Sequence, residues 1–117
     1  MQWWGETARV AAGPAALATA TGARLCPVTI HYERLEGARR RAAGSPWGIV
    51  LTFHPPLPVP AGLPRAEAVA RLTQAWVDVV ADGIAAHPQD WHMLQKVFVA
   101  DLDPERYAKT LAAEGAS

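Results

Sequence analysis

Few residues in this chain combine a reactive group with a setting that would make it work. Glu6 stands out among the carboxylates. It follows Trp3-Trp4-Gly5 at a strand end, and strand ends in α/β sheets are where catalytic groups gather. His87, Asp90 and His92 fall within six residues and are all metal-ligand types. Their spacing is not the His-Glu-x-x-His helix pattern, and no further ligand stands nearby. A helix end, with His87 near the negative C-terminal dipole, accounts for them better. Cys26 lies in an apolar stretch with no cation beside it in sequence, so it reads as a buried, unreactive thiol. The serines are Ser45 and Ser117, and neither sits in a Gly-x-Ser-x-Gly turn. Gly13-Pro14 opens a helix without the Gly-rich loop and Lys of a phosphate cradle, so a helix start is the better reading. Arg39-Arg40-Arg41 reads as part of a solvated loop, with attraction to acidic head groups as the sharper alternative.

Composition narrows the classes open to these residues. The chain has 117 residues, 11 basic and 11 acidic, so its formal net charge is zero. Half of it is apolar and 19% is charged, which argues against disorder. The missing basic excess argues against a nucleic-acid partner. A single cysteine excludes an internal disulfide or a multi-cysteine zinc site. Alanine accounts for 24 residues, so the apolar fraction overstates the bulky core. The start has neither the basic nor the apolar region of a signal peptide. The longest uncharged stretch, 42–64, is broken by prolines and cannot be a spanning helix. Any membrane association is therefore expected to be peripheral.

The elements that must position the candidate residues follow from periodicity and punctuation. Residues 2–5 read as the stub of a strand. Residues 14–21 read as a helix with Pro14 in its first turn and Gly22 just past its end. Arg24–Glu33 reads as a strand disturbed by Pro27, which removes a ladder donor. Leu35–Pro46 reads as a polar turn region, and Trp47–His54 as the returning strand of a long hairpin. His54 to Pro60 holds four prolines and reads as a stiff connector. Arg65–His87 is the strongest helix, with Val69, Leu72, Trp76, Val80 and Ile84 as its apolar stripe. Residues 88–95 read as a short helix or turn. A final helix is capped by Asp103, carries Pro104 at its first position and ends near Ala113, with a frayed tail 115–117. The fold class is mixed α/β. So few strands cannot form a layer with both faces covered by helices, which suggests part of something larger.

Three segments together resemble one family. Trp3-Trp4-Gly5-Glu6-Thr7-Ala8-Arg9, followed by Ala12-Gly13-Pro14-Ala15-Ala16-Leu17-Ala18, is similar to the Phe-Phe-Gly-Glu block of bacterial glycolipid acyltransferases. Thr21-Gly22-Ala23-Arg24-Leu25-Cys26-Pro27-Val28 is similar to the strand that follows it. His87-Pro88-Gln89-Asp90-Trp91-His92-Met93-Leu94-Gln95 is similar to a near-C-terminal block of the actinobacterial members. These are the phosphatidylinositol mannoside acyltransferases, relatives of the lipid A lauroyl/myristoyl acyltransferases. Trp3-Trp4 replaces the usual Phe-Phe, and Val10-Ala11-Ala12 stands where Met and Pro are usual.

The resemblance implies the C-terminal part of a helix–sheet–helix acyltransferase domain with a mixed sheet. It implies peripheral attachment at the cytoplasmic face of the inner membrane. It also implies transfer of a fatty acyl group from acyl-CoA, a co-substrate rather than a resident cofactor, to a mannose hydroxyl of a glycolipid. The family's base is a His in a His-x4-Asp motif, where the Asp orients the imidazole. Five positions after His31, His54, His87 and His92 stand Glu36, Val59, His92 and Val97, so residues 1–117 contain no such motif. The expectation is that the motif belongs to an absent N-terminal half, itself a potential partner, and that the chain alone is inactive. By resemblance Glu6 is a supporting catalytic acid, and Asp90, Trp91 and His92 line the substrate groove. Two rivals remain: a non-catalytic glycolipid- or protein-binding module using Trp3, Trp4 and residues 54–60, and a small metal enzyme using His87, Asp90 and His92.

Overall fold

The computed structural model describes residues 1–93 and 95–116; Leu94 and Ser117 lie outside the described residues. Its order is β1 (Gln2–Trp3), β2 (Glu6–Thr7), α1 (Gly13–Thr21), β3 (Val28–Arg34), α2 (Gly37–Ala43), β4 (Trp47–Phe53), α3 (Arg65–Ala86) and α4 (Pro104–Ala116). Single 3-10 turns at Pro88–Asp90 and Val99–Asp101 join α3 to α4. The described strands form two antiparallel two-stranded sheets, β1–β2 and β3–β4. This is the expected mixed α/β class, and among the described residues each strand has one edge without a strand partner. No helix among the described residues is long and apolar enough to cross a membrane.

The N-terminal strand stub is in fact a tight hairpin. Gln2 faces Thr7 and Trp3 faces Glu6, with Trp4-Gly5 as the two-residue turn. Both turn residues have positive φ, +51° and +81°. That is the pattern of a type I′ turn, whose twist matches that of the flanking strands. Glycine takes this conformation freely, whereas a tryptophan there is unusual. The strand reading missed it because Trp is a strand former and Trp4-Gly5 is not a common turn pair.

Residues 35–46 also depart from expectation, since much of the segment is the helix α2. Its Gly-Ala-Arg-Arg-Arg-Ala-Ala run consists mainly of good helix formers. Gly44 ends it in the left-handed conformation and donates its N–H to the Arg40 carbonyl. No residue of α2 is buried, and Arg39 pairs with Glu33 of β3. The arginines thus stand on a solvated helix at the tip of the β3–β4 hairpin. Cys26 is another correction: it is exposed, while Pro27 beside it is buried.

α3 organises the core. Its most buried positions are Ala68, Leu72, Thr73, Val77 and Ala81. Of the expected stripe Leu72 lies on this line, while Val69, Trp76, Val80 and Ile84 flank it and are partly buried. One cluster joins Leu72 to Ala15 and Ala18 of α1 and to Leu25, Leu57 and Val59. Leu25 and Leu57 also pair through their backbones, which fastens the proline connector alongside residue 25. The second cluster joins Val77 and Ala81 to Trp3 and Ala8, with Trp91 and Phe98 packed against it. At the end of α3, Gly83 lies close beneath Thr29 of β3, where an added Cβ would come within 2.4 Å of the Thr29 methyl. α4 starts as the sequence suggests: Asp103 Oδ1 accepts the Arg106 backbone N–H at 2.8 Å, and the helix continues to Ala116.

Candidate functional site

The first hairpin carries Glu6, and three sets of contacts hold it in place. The Met1 amino group donates to the Ala8 carbonyl, and Ala8 N–H donates back to the Met1 carbonyl. The Gln74 side chain on α3 brackets Gln2: its Oε1 accepts the Gln2 N–H at 2.8 Å and its Nε2 donates to the Gln2 carbonyl at 2.7 Å. One amide thereby imitates a neighbouring strand. Nε2 also donates to Asp78 one helical turn on, which fixes its orientation. Finally, Ala8 forms an antiparallel bridge with Phe98.

These anchors bring two distant sequence blocks together. The Trp3 ring stacks on Trp91 with centroids 6.0 Å apart, and Trp4 meets Trp91 edge-on at 5.5 Å. Trp4 also approaches Phe98 at 6.4 Å. Such ring pairs each contribute roughly 0.5–1.5 kcal/mol beyond the area they bury. Trp3 is buried, and its indole N–H has no acceptor among the described residues. Trp4 is about half exposed. Trp3 is therefore a packing residue, which counts against the binding-module reading built on both tryptophans.

Glu6 faces outward from β2. Its carboxylate is exposed and makes no hydrogen bond or ion pair among the described residues. It is free to accept a hydrogen bond from a hydroxyl or to hold a cation. Beside the aromatic cluster opens a cleft of about 410 Å³, lined by Trp91, Met93, Val97 and Phe98 with Lys96 and Asp101 among its polar groups. Lys96 also borders an adjoining cleft of about 380 Å³ with Arg9, Arg106 and Tyr107. Arg9 lies over the Tyr107 ring and pairs with Glu114.

The segment 90–92 divides. Trp91 joins the hairpin that carries Glu6. Asp90 turns to the other side, where its Oδ2 accepts the Tyr32 backbone N–H of β3 at 3.0 Å. It thereby occupies part of the open β3 edge and acts as a structural clasp. His92 is exposed and makes no hydrogen bond, ion pair or ring contact among the described residues. His87 stacks flat on His31, with ring centroids 3.8 Å apart. Among the described residues no three His, Cys, Asp or Glu side chains converge as a metal-ligand set. His87, Asp90 and His92 are thus not brought to one centre, and the metal-enzyme reading has no converged ligand set among the described residues. Sequence reasoning missed Phe98 and Gln74. The Gln74/Asp78 spacing of four was visible, but nothing in it pointed to a backbone 72 residues away.

Most of the chain resembles known proteins. Residues 1–99 match the model of the bacterial lipid A biosynthesis acyltransferases. The chain is 39% identical over 109 residues to a phosphatidylinositol mannoside acyltransferase of Mycolicibacterium smegmatis, a match covering 93% of this chain and 30% of that protein. It is equally similar to the phosphatidylinositol mannoside acyltransferase of Mycobacterium tuberculosis, covering 29% of that protein. The chain thus spans about 30% of the length of the curated relatives it matches. With the hairpin that carries Glu6 and the segment that carries Trp91 both inside the matched region, residues 1–117 belong to the bacterial lipid A biosynthesis acyltransferase family.

Proposed function

We propose that residues 1–117 form the Glu6-bearing part of an acyltransferase that moves a fatty acyl group from acyl-CoA to a mannose hydroxyl of a phosphatidylinositol mannoside. The site works peripherally at the cytoplasmic face of the inner membrane. The attacking hydroxyl loses its proton to a His–Asp base, its oxygen bonds to the thioester carbonyl carbon, and the CoA thiolate leaves with a proton from the imidazole. That base comes from acyltransferase polypeptide outside residues 1–117. Glu6 supplies an unpaired carboxylate on an anchored hairpin that accepts a hydrogen bond from a sugar hydroxyl and orients it for attack. The supporting observation is the meeting of the Trp3-Trp4 hairpin with Trp91, which sets Glu6 on a braced element at an aromatic wall.

The test is acyl transfer from acyl-CoA to a mannosylated phosphoinositide. The purified chain is expected to give none. Joined to the part of the M. smegmatis relative outside the match, it is expected to give turnover that Glu6→Gln lowers about tenfold or more. Turnover by the 117-residue chain alone, or an unaffected Glu6→Gln enzyme, would overturn the proposal.

A further inference from the structure

The two faces of the β3–β4 hairpin differ sharply. The inner face carries Thr29, His31, Glu33, Gly48 and Val50, which are partly buried, and an exposed Thr52 at its end; Thr29 lies over Gly83 of α3 and His31 stacks on His87. The outer face pairs Val28 with Phe53, Ile30 with Leu51, Tyr32 with Ile49 and Arg34 with Trp47. All seven apolar side chains on that face are exposed, from 38% at Val28 to 72% at Phe53. Standing side by side on two paired strands, they form one apolar patch of the kind that marks an interaction surface. The radius of gyration, 18.0 Å, points the same way, since a compact chain of this length has about 13 Å.

We propose that this outer face docks the acyltransferase polypeptide that the relatives carry outside the matched region, whether that polypeptide is on the same chain or a separate one. The inference rests on the reading of residues 1–117 as one piece of an acyl-transfer domain. Two observations select this occupant. More than two thirds of each relative's length lies outside the match, which is ample chain to supply a covering layer. The sheet already has a helix, α3, against one face, and an antiparallel sheet that leaves its other face to water is polar there, whereas this face is apolar. A second copy fits less well, because the face carries one charge, Arg34, and no complementary pattern to set the register of two identical walls. A lipid surface fits less well too, because the apolar residues form a flat wall along two strands rather than a protruding tip.

The experiment reads the accessibility of Leu51. In a Cys26→Ala background, Leu51→Cys is labelled with a soluble maleimide. The 117-residue chain is compared with the same chain joined to the remainder of the M. smegmatis relative. At least tenfold slower labelling in the joined protein is expected, while Arg40→Cys on α2 labels at the same rate in both. A parallel pull-down of the two pieces co-expressed as separate chains is expected to succeed. It should fail when Leu51→Asp and Phe53→Asp are combined, with the helical circular dichroism of the chain retained. Equal labelling of Leu51→Cys in both proteins would overturn the proposal. So would protection in the joined protein that is lost on dilution, as a second copy would give, or that appears only on anionic phosphatidylglycerol vesicles. Protection without acyl transfer in the joined protein would leave this surface standing and reject the catalytic reading instead.

Discussion

Leu72 and Leu51 are the same residue type in opposite surroundings. Leu72, 1% exposed, is enclosed by α1, the proline connector and its own helix. Leu51, 51% exposed, stands in a row of exposed apolar side chains. The α3 face is a finished core of small and medium residues, whereas the hairpin's outer face has the composition of a core without its other half. Burial therefore tracks where this chain's own elements meet and not how apolar a segment is. Substitutions at the two sites should separate the regions most clearly. Leu72→Ala should destabilise the fold by about 2–5 kcal/mol, the range for a fully buried leucine. Leu51→Ala should stay within about 0.5 kcal/mol, as surface changes do. Denaturant midpoints of the dilute chain check both. Equal losses at the two sites would mean that the hairpin face is already part of a core.

The join between the regions is the next place to probe. Gly83 is an interior helix residue, and Gly→Ala in a helix ordinarily gains up to about 1 kcal/mol. Here the new Cβ would meet the Thr29 methyl at 2.4 Å and the Thr29 Cβ at 2.9 Å. Overpacking of that kind costs about 1–3 kcal/mol, so the expected sign is reversed and Gly83→Ala destabilises. Adding Thr29→Ser removes the nearer atom and should recover part of the loss, which a double-mutant cycle measures as coupling. A stabilised Gly83→Ala protein would show that the hairpin rides loosely on α3 instead of packing against it.

Punctuation in the sequence was most informative where one short signal settles the geometry. Gly22 ends α1 in the left-handed conformation, Asp103-Pro104 starts α4, and Pro88 closes α3. The signal failed where two physical tendencies compete. Arginine and alanine in 38–43 favour a helix as strongly as Gly37 and Gly44 favour a turn, and the helix forms without burying anything. At the site, the resemblance singled out Glu6 and the 90–92 segment, but no sequence rule reports that Asp90 and Trp91 face different elements. One bonds β3 and the other stacks on the first hairpin. Cys26 shows a related limit. Apolar neighbours suggested burial, yet the residue lies just outside β3, where Pro27 takes the inward place.

Between the two regions in expected effect lies the start of α4. Asp103 satisfies one of the free N–H groups of that helix, so Asp103→Ala should cost about 1 kcal/mol, while Asp103→Asn or Asp103→Ser should cost much less. Thermal unfolding followed by circular dichroism checks the ranking. A silent Asp103→Ala would mean that α4 is held chiefly by contacts farther along it, such as the Arg9–Glu114 pair and Arg9 over Tyr107.

The smallest expected effect on stability tests the outer face most directly. Phe53 is 72% exposed and makes its cross-strand contact with Val28 at the end of the ladder. Such a pair contributes roughly 0.2–1 kcal/mol, and the long aliphatic stem of a lysine keeps part of that contact. Phe53→Lys should therefore leave the unfolding midpoint nearly unchanged while raising the concentration at which the chain stays monomeric, because a charge on an exposed strand opposes edge and face association. Sedimentation across a dilution series reads that change. The two results must occur together: a buried phenylalanine would show a stability loss of several kcal/mol, whereas a solvated residue outside any contact surface would leave association untouched. Little stability loss with a clear gain in monomer is the combination that identifies a surface shaped for burial but not buried by this chain.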